Sequence, residues 1–116
     1  MSDSGPAALI ELGGGEAVEL RGRGLLGRAP RAEPREYVDQ LVRIDDPSRS
    51  ISKTHLEFGW DAAELWILDR FSANGTVIVT AEGEVRRCEP GRRHRVRAGD
   101  RVRLGDIEVT VRALLG

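Results

Sequence analysis

Between residues 50 and 55 the chain reads "SISKTH", placing Ser50, Ser52, the protein's single lysine (Lys53), Thr54 and His55 in one short stretch. Two chemistries suit such a set. A histidine beside hydroxyls can act as a general base for a nucleophile. Hydroxyls beside a cation can instead hold an anion. A serine hydroxyl is a small neutral donor that reaches a phosphate oxygen without the desolvation cost of another charge. An ε-ammonium adds a flexible point charge. Arg28, following Gly27 at the end of the apolar run "LLG", supplies a planar fork of donors that meets phosphate bidentately. His94 lies in the charged run "RRHRV" and is expected to be solvated. No nucleophile–base pair or phosphate-cradling glycine loop is evident, so the anion reading leads.

The global composition supplies no competing field. Lysine plus arginine number 18 against 19 acidic residues, so nucleic acid and membrane are not drawn to the chain as a whole. Any anion site must be local. All cations but Lys53 are arginine, a bias that also fits a GC-rich genome. Aromatic residues make up 4% of the chain, too few for the stacking platforms of single-stranded nucleic-acid binders. Cys88 is the sole cysteine, which excludes an intrachain disulfide and a cysteine-rich metal centre. No cofactor or metal is implied. With no secretory leader in view, a cytoplasmic setting is expected, including that of a cytoplasmic part of a larger protein.

The elements that must position these residues read as strands. "AALIEL" (7–12), "AVEL" (17–20), "QLVRI" (40–44), "LEFGW" (56–60), "LWIL" (65–68), "TVIVT" (76–80) and "IEVTVRALL" (107–115) are short, and most are alternating or β-branched. Turn clusters separate them: "GGG", "DDPSRS", "SANG", "EPG", "AGD" and "LGD". Turns at this spacing predict a β-sandwich of two twisted, mainly antiparallel sheets with about 10 or 11 short strands. "RAEPREYVDQ" (31–40) suits a surface loop better than a helix. Residues 1–6 are expected to form a disordered lead-in, and 7–116 a single domain. Loops gather at the ends of a sandwich, where a rigid frame can aim them.

Three loop motifs occur in order: "LLGR" (25–28), "SISKTH" (50–55) and "DRFSANGT" (69–76). Together with the closing "GDRVRLGDIEVTV" (99–111) they resemble the forkhead-associated (FHA) domain, over roughly residues 7–113. The arginine bias points to a bacterial, actinobacterial member. The resemblance implies an FHA/SMAD-like sandwich that binds phosphothreonine peptides through loops at one end. It assigns the phosphopeptide to Arg28, Ser52, Lys53 and Asn74, with Arg49, Ser50, Phe71 and Ala73 as further candidates around them. It gives Gly27, His55, Ser72, Gly75 and Thr76 the task of shaping the loops, so His55 becomes an internal hydrogen-bond hub rather than a base. Asn74-Gly75 also marks a tight turn in its own right.

Two residues depart from the family pattern. Phe71 stands where glycine is common, and Ala73 where threonine commonly helps form the pocket for the phosphothreonine methyl. The expected function is recruitment of a phosphorylated protein, the substrate of a Ser/Thr kinase, in signalling. The chain is expected to be a monomer that binds no nucleic acid, enters no membrane and catalyses no reaction. The alternative is a phosphate-independent interaction or oligomerisation domain on the same fold.

Overall fold

Leu56, Phe58 and Trp60 alternate with Glu57, Gly59 and Asp61, and a strand sends such alternate residues to opposite faces. In the computed structural model, which describes residues 5–116, this segment is a central strand whose first set faces the core. The expected lead-in falls, for residues 1–4, outside the described residues. From residue 5 onward the chain forms β1 (Ala7–Glu11), β2 (Ala17–Arg21), β3 (Gly24–Gly27), β4 (Gln40–Arg43), β5 (Leu56–Asp61) and β6 (Glu64–Asp69). It continues through β7 (Thr76–Val79), β8 (Val85–Arg87), β9 (Arg93–Val96), β10 (Arg101–Leu104) and β11 (Ile107–Leu115). Among the described residues none is helical.

The strands build two sheets. One has the order β2-β1-β11-β10-β7-β8 and the other β4-β3-β5-β6-β9. Every pairing is antiparallel except β3 with β4. That exception matters for the site. Parallel neighbours need a crossover connection, and here it is the long loop 28–39, which leaves β3 at Gly27 and runs past the segment 51–55. Between the sheets Ile10, Leu26, Leu56, Phe58, Ile67, Val102, Leu104 and Val111 form one core. Burial of these apolar faces is the main force closing the sandwich.

β8 and β9 have no counterpart in the apolar pattern. Both are edge strands whose residues are mostly exposed, so little in their sequence needs to be hydrophobic. His94 sits on this edge, half-buried. It lies in β9 opposite Ile67, and its Nε2 accepts a hydrogen bond from the Glu89 backbone N–H at 3.1 Å. Cys88 is buried, and burial pushes its thiol up to about 11, with the Asp69 charge adding to the shift. Such a thiol is unreactive at neutral pH.

Candidate functional site

Gly27 explains how Arg28 reaches its place. A Cβ at Gly27 would collide with the Lys53 carbonyl, so only glycine lets β3 pass this close to the 46–55 loop. The two segments then bond directly. The Arg28 N–H donates to the Ser52 carbonyl at 3.1 Å, the Ala29 N–H to the Lys53 carbonyl at 3.0 Å, and the His55 N–H to the Leu26 carbonyl at 2.9 Å. Arg28 is thereby delivered beside Ser52. Its Nε donates to the Ile51 carbonyl at 3.2 Å, and its two terminal nitrogens have no protein partner among the described residues.

His55 is fully buried between two loops. The Ser52 N–H lies 3.1 Å from Nδ1, and Nε2 lies 2.9 Å from the Gly75 carbonyl. An N–H facing Nδ1 makes that nitrogen the acceptor, so Nε2 carries the proton and donates to Gly75. Burial holds the imidazole below the ordinary histidine range, while the Gly75 carbonyl and Asp69 pull the other way. The ring is neutral and structural. It is a strut joining the 46–55 loop to the 69–76 loop, with neither ring nitrogen left for chemistry.

An aspartate organises each loop. Buried Asp69 accepts from the Ser72 hydroxyl at 2.5 Å, the Ser72 N–H at 3.1 Å and the Thr76 hydroxyl at 2.6 Å. The Ser72 hydroxyl oxygen in turn accepts from the Gly75 N–H at 3.0 Å. Asp46 accepts from the Ser48 hydroxyl at 2.6 Å, the Ser50 hydroxyl at 3.1 Å and the Ile51 N–H at 2.8 Å. The Ser48 bond, followed by those from Ile51 and Ser50, outweighs burial and pushes the Asp46 carboxyl down to about 2. The Ser50 oxygen also accepts from the Asp106 N–H at 2.8 Å. Ser50 is thus a bracket between the loop and the β10–β11 turn, with its hydroxyl proton engaged inward.

Ser52 differs in one respect. Its oxygen accepts from the Ala73 N–H at 2.9 Å, but its own proton has no acceptor among the described residues. That donor remains available. Asn74 gives one amide N–H to the Ser50 carbonyl at 2.7 Å and keeps its oxygen and second N–H. Lys53 and Arg49 are exposed, and neither side chain bonds any described residue. The structure therefore gathers Arg28, Ser52, Lys53, Ala73 and Asn74 around one loop cluster, braced by Gly27, His55, Ser72, Gly75 and Thr76.

Phe71 resolves one departure from the pattern. Its φ is 55°, in the left-handed region that glycine enters freely, and its side chain is 78% exposed. The ring lies over Gly91, outside the core. A second cluster has no motif of its own in the sequence. Arg70 NH1 donates to Glu36 at 2.8 Å and Glu57 at 3.1 Å, while Arg23 donates to Glu57 at 2.7 Å and Glu36 at 2.9 Å. Arg70, then the Glu33 N–H, push the Glu36 carboxyl down to about 2. This lattice fastens the crossover loop to the turn before β3, to β5 and to the start of the 69–76 loop. Asp46 and Asp69 had a legible signal, a serine two or three residues later, which is the spacing of a local side-chain-capped turn.

The FHA domain family model matches residues 24–105. This chain belongs to the FHA domain family. Among solved structures, the domain is similar to one described in a structural and functional analysis of phosphothreonine-dependent FHA domain interactions. That match is 28% identical, covers 91% of this chain and 95% of the other, and has a TM-score of 0.65. The FhaA FHA domain, solved with the intracellular domain of another protein, is 29% identical with 90% and 99% coverage and a TM-score of 0.65. EmbR of Mycobacterium tuberculosis, solved with a low-affinity phosphopeptide, is 20% identical and shares the fold. It is covered over 25% of its length against 95% of this chain, with a TM-score of 0.67. No curated protein sequence matches the chain.

Proposed function

We propose that this domain is a phosphothreonine-dependent protein-binding module, with Arg28, Ser52 and Lys53 as ligands of the phosphate and Asn74 as a ligand of the peptide main chain. The observation that carries the reading is the set of disengaged donors at one loop cluster. Among the described residues the Arg28 terminal nitrogens, the Ser52 hydroxyl proton and the Lys53 ammonium have no partner, while Asp46 and Asp69 are turned inward on their own loops. A dianionic phosphate accepts from such donors and gains charge-assisted bonds. The likeness to FHA domains described by phosphothreonine-dependent interactions supports the same assignment.

Arg49, Phe71 and Ala73 form the rim over which the peptide passes, and Ser50 holds the loop beneath it. The partner is a protein phosphorylated by a Ser/Thr kinase, bound by a monomer acting in signalling, and the domain carries no catalytic activity of its own. The near balance of charge speaks against nucleic acid. No helix among the described residues is long and apolar enough to cross a membrane. The domain spans residues 7–116 and works in the cytoplasm, alone or as part of a longer protein.

Isothermal titration with matched peptides tests this. Phosphothreonine peptides are expected to bind with a Kd on the order of micromolar, about −8 kcal/mol, since a few charge-assisted bonds contribute about 1.5–3 kcal/mol each before ordering costs. Equal heats with unphosphorylated peptides would replace this reading with a phosphate-independent interaction domain.

A further inference from the structure

The six-stranded sheet ends in two different edges. At β2 a side chain from the other sheet closes the strand. The Gln40 amide donates to the Glu19 carbonyl at 2.8 Å and accepts from the Arg21 N–H at 3.0 Å, as a residue of an added strand would. The β8 edge has no such closure. The Cys88 N–H donates to the Thr76 carbonyl at 2.9 Å and the Thr80 N–H to the Glu84 carbonyl at 2.8 Å. With Arg86 opposite Ile78, the even-numbered residues carry the bonds to β7. Alternate residues of an antiparallel pair turn their N–H and C=O the other way. Val85 and Arg87 therefore present theirs to the open side, where no described residue bonds them.

The side chains make this edge selective. Ile78 and Val102 face the core, so Val77, Val79, Val85, Arg87, Arg101 and Arg103 share the outer face of the sheet. On that face Arg101 and Arg103 both meet Glu108. Arg86, which points the other way, pairs with Glu84 at 3.0 Å. Arg87 has no carboxylate within 4.0 Å among the described residues, and Val85 on the same face is 64% exposed. Charge at a strand edge guards against self-pairing. Here Arg87 repels a second β8 and attracts an acidic strand. A nucleic-acid backbone would match the cation alone and leave Val85 and the open carbonyls without partners. An extended polypeptide matches all of them.

We propose that β8 is a strand-addition edge, taking an extended, unphosphorylated segment of a partner protein that carries an acidic residue and, two residues later, a β-branched apolar one. The acid lies opposite Arg87 and the apolar side chain opposite Val85. Every pairing in this sheet is antiparallel, and an antiparallel addition sets the order Glu-x-Val from N- to C-terminus. No acid is called for opposite Arg86, whose charge Glu84 already meets. The edge uses none of the residues assigned to the phosphopeptide, and the proposal does not rest on that reading.

Amide NMR titration of the domain with the unphosphorylated peptide Ser-Thr-Glu-Thr-Val-Thr-Ser tests it. So short an edge gives a weak contact, and the titration extends to millimolar peptide. The Val85 and Arg87 amides are expected to shift and their hydrogen exchange to slow. Lys in place of Glu, or the reversed order Val-x-Glu, is expected to weaken binding about two- to fivefold, the worth of an opposite-charge cross-strand pair. N-methylation of the peptide's Glu and Val is expected to abolish binding, because those N–H groups face β8. N-methylation of the Thr between them, whose N–H faces away, is expected to leave it intact. Arg87→Glu is expected to reverse the preference and make the Lys peptide the tighter. Arg87 is exposed, and a melting curve checks that the variant is folded. The proposal is overturned if the peptide moves no β8 amide, or if the peptide N-methylated at Glu and Val binds as well as its parent. A charge preference that Arg87→Glu leaves unchanged also overturns it. So does a single-stranded oligonucleotide that moves the β8 amides where the peptide does not.

Discussion

The 46–55 and 69–76 loops use the same device to opposite ends. Each folds around an aspartate that collects serine hydroxyls and backbone N–H groups a few residues further on. The first turns its acidic residue inward and leaves Arg49, Lys53 and the Ser52 proton outward. The second leaves a phenyl ring, a methyl and an amide: Phe71, Ala73 and Asn74. One loop therefore offers charge and the other shape. The comparison teaches that serines in a recognition motif are not equivalent. Ser50 and Ser72 give their protons to aspartates, whereas the Ser52 proton has no acceptor among the described residues.

The largest effect is expected from removing the strut that ties the two loops together. His55→Ala orphans the Ser52 N–H and the Gly75 carbonyl together, and each buried group left unpaired costs about 1–3 kcal/mol. A loss of roughly 2–4 kcal/mol is expected in chemical denaturation, with both loops affected. The pH dependence carries the sign. The folded-state value of His55 lies below its unfolded value, so its stabilisation is complete above about 6.5. It declines as pH falls below that point and protons favour the unfolded chain. The melting temperature of the unaltered protein should drop over that range, with a shallower slope in His55→Ala. Parallel slopes would show that the imidazole is not held neutral.

The next effect separates charge from framework. Arg28→Ala and Ser52→Ala should each weaken phosphothreonine binding about 10- to 100-fold, the worth of one charge-assisted bond. Their melting temperatures should stay close to that of the unaltered protein, Ser52→Ala falling slightly because the Ala73 N–H loses its acceptor. Ser50→Ala should show the reverse pattern, with lower stability and a smaller change in affinity. Titration paired with calorimetry on the three variants decides it.

Phe71→Gly tests the shape side. Relieving a left-handed residue returns about 1 kcal/mol, so the variant should melt higher. Peptides with an apolar residue near the phosphothreonine should then bind it less tightly, since their partner ring is gone. A variant that melts lower would mean the ring's contact with Gly91 outweighs the backbone strain. The smallest effect is expected at Ala73. A buried methyl is worth about 0.8 kcal/mol, and Ala73→Thr should widen the phosphothreonine-over-phosphoserine ratio by up to about fourfold. An unchanged ratio would place the methyl against other residues, Phe71 first.

The sandwich was legible because β5, β6 and β11 face a core on one side and so must alternate or cluster apolar residues. β8 and β9 escaped because edge strands pair through backbone atoms and need no such pattern. The loop motifs were legible for a related reason. Gly27 and Gly75 are backbone requirements, a close approach and a φ of 80°, and these restrict residue type at fixed positions. The four-charge lattice left no local trace. Arg23 and Glu57 lie 34 positions apart, as do Arg70 and Glu36, and only the parallel β3–β4 pairing brings the crossover loop to them. Among so many arginines, none of those contacts could be chosen by spacing.

The loop that offers charge is gripped from both sheets at once. Gly27 of β3 abuts the Lys53 carbonyl, and Gly105, in the turn joining β10 to β11, abuts the Ser50 carbonyl. The two contacts fall on the same loop and belong to opposite walls of the sandwich. A phosphopeptide that stiffens this loop therefore fastens one wall to the other, and the whole equilibrium gain is the mass-action one, about 2.7 kcal/mol at a hundredfold excess over Kd. Amide exchange should slow in β3 and in β10 together, although the peptide touches neither strand's interior. Pulled from its two ends, the liganded domain should resist shear between its sheets and give way at a higher force than the empty one.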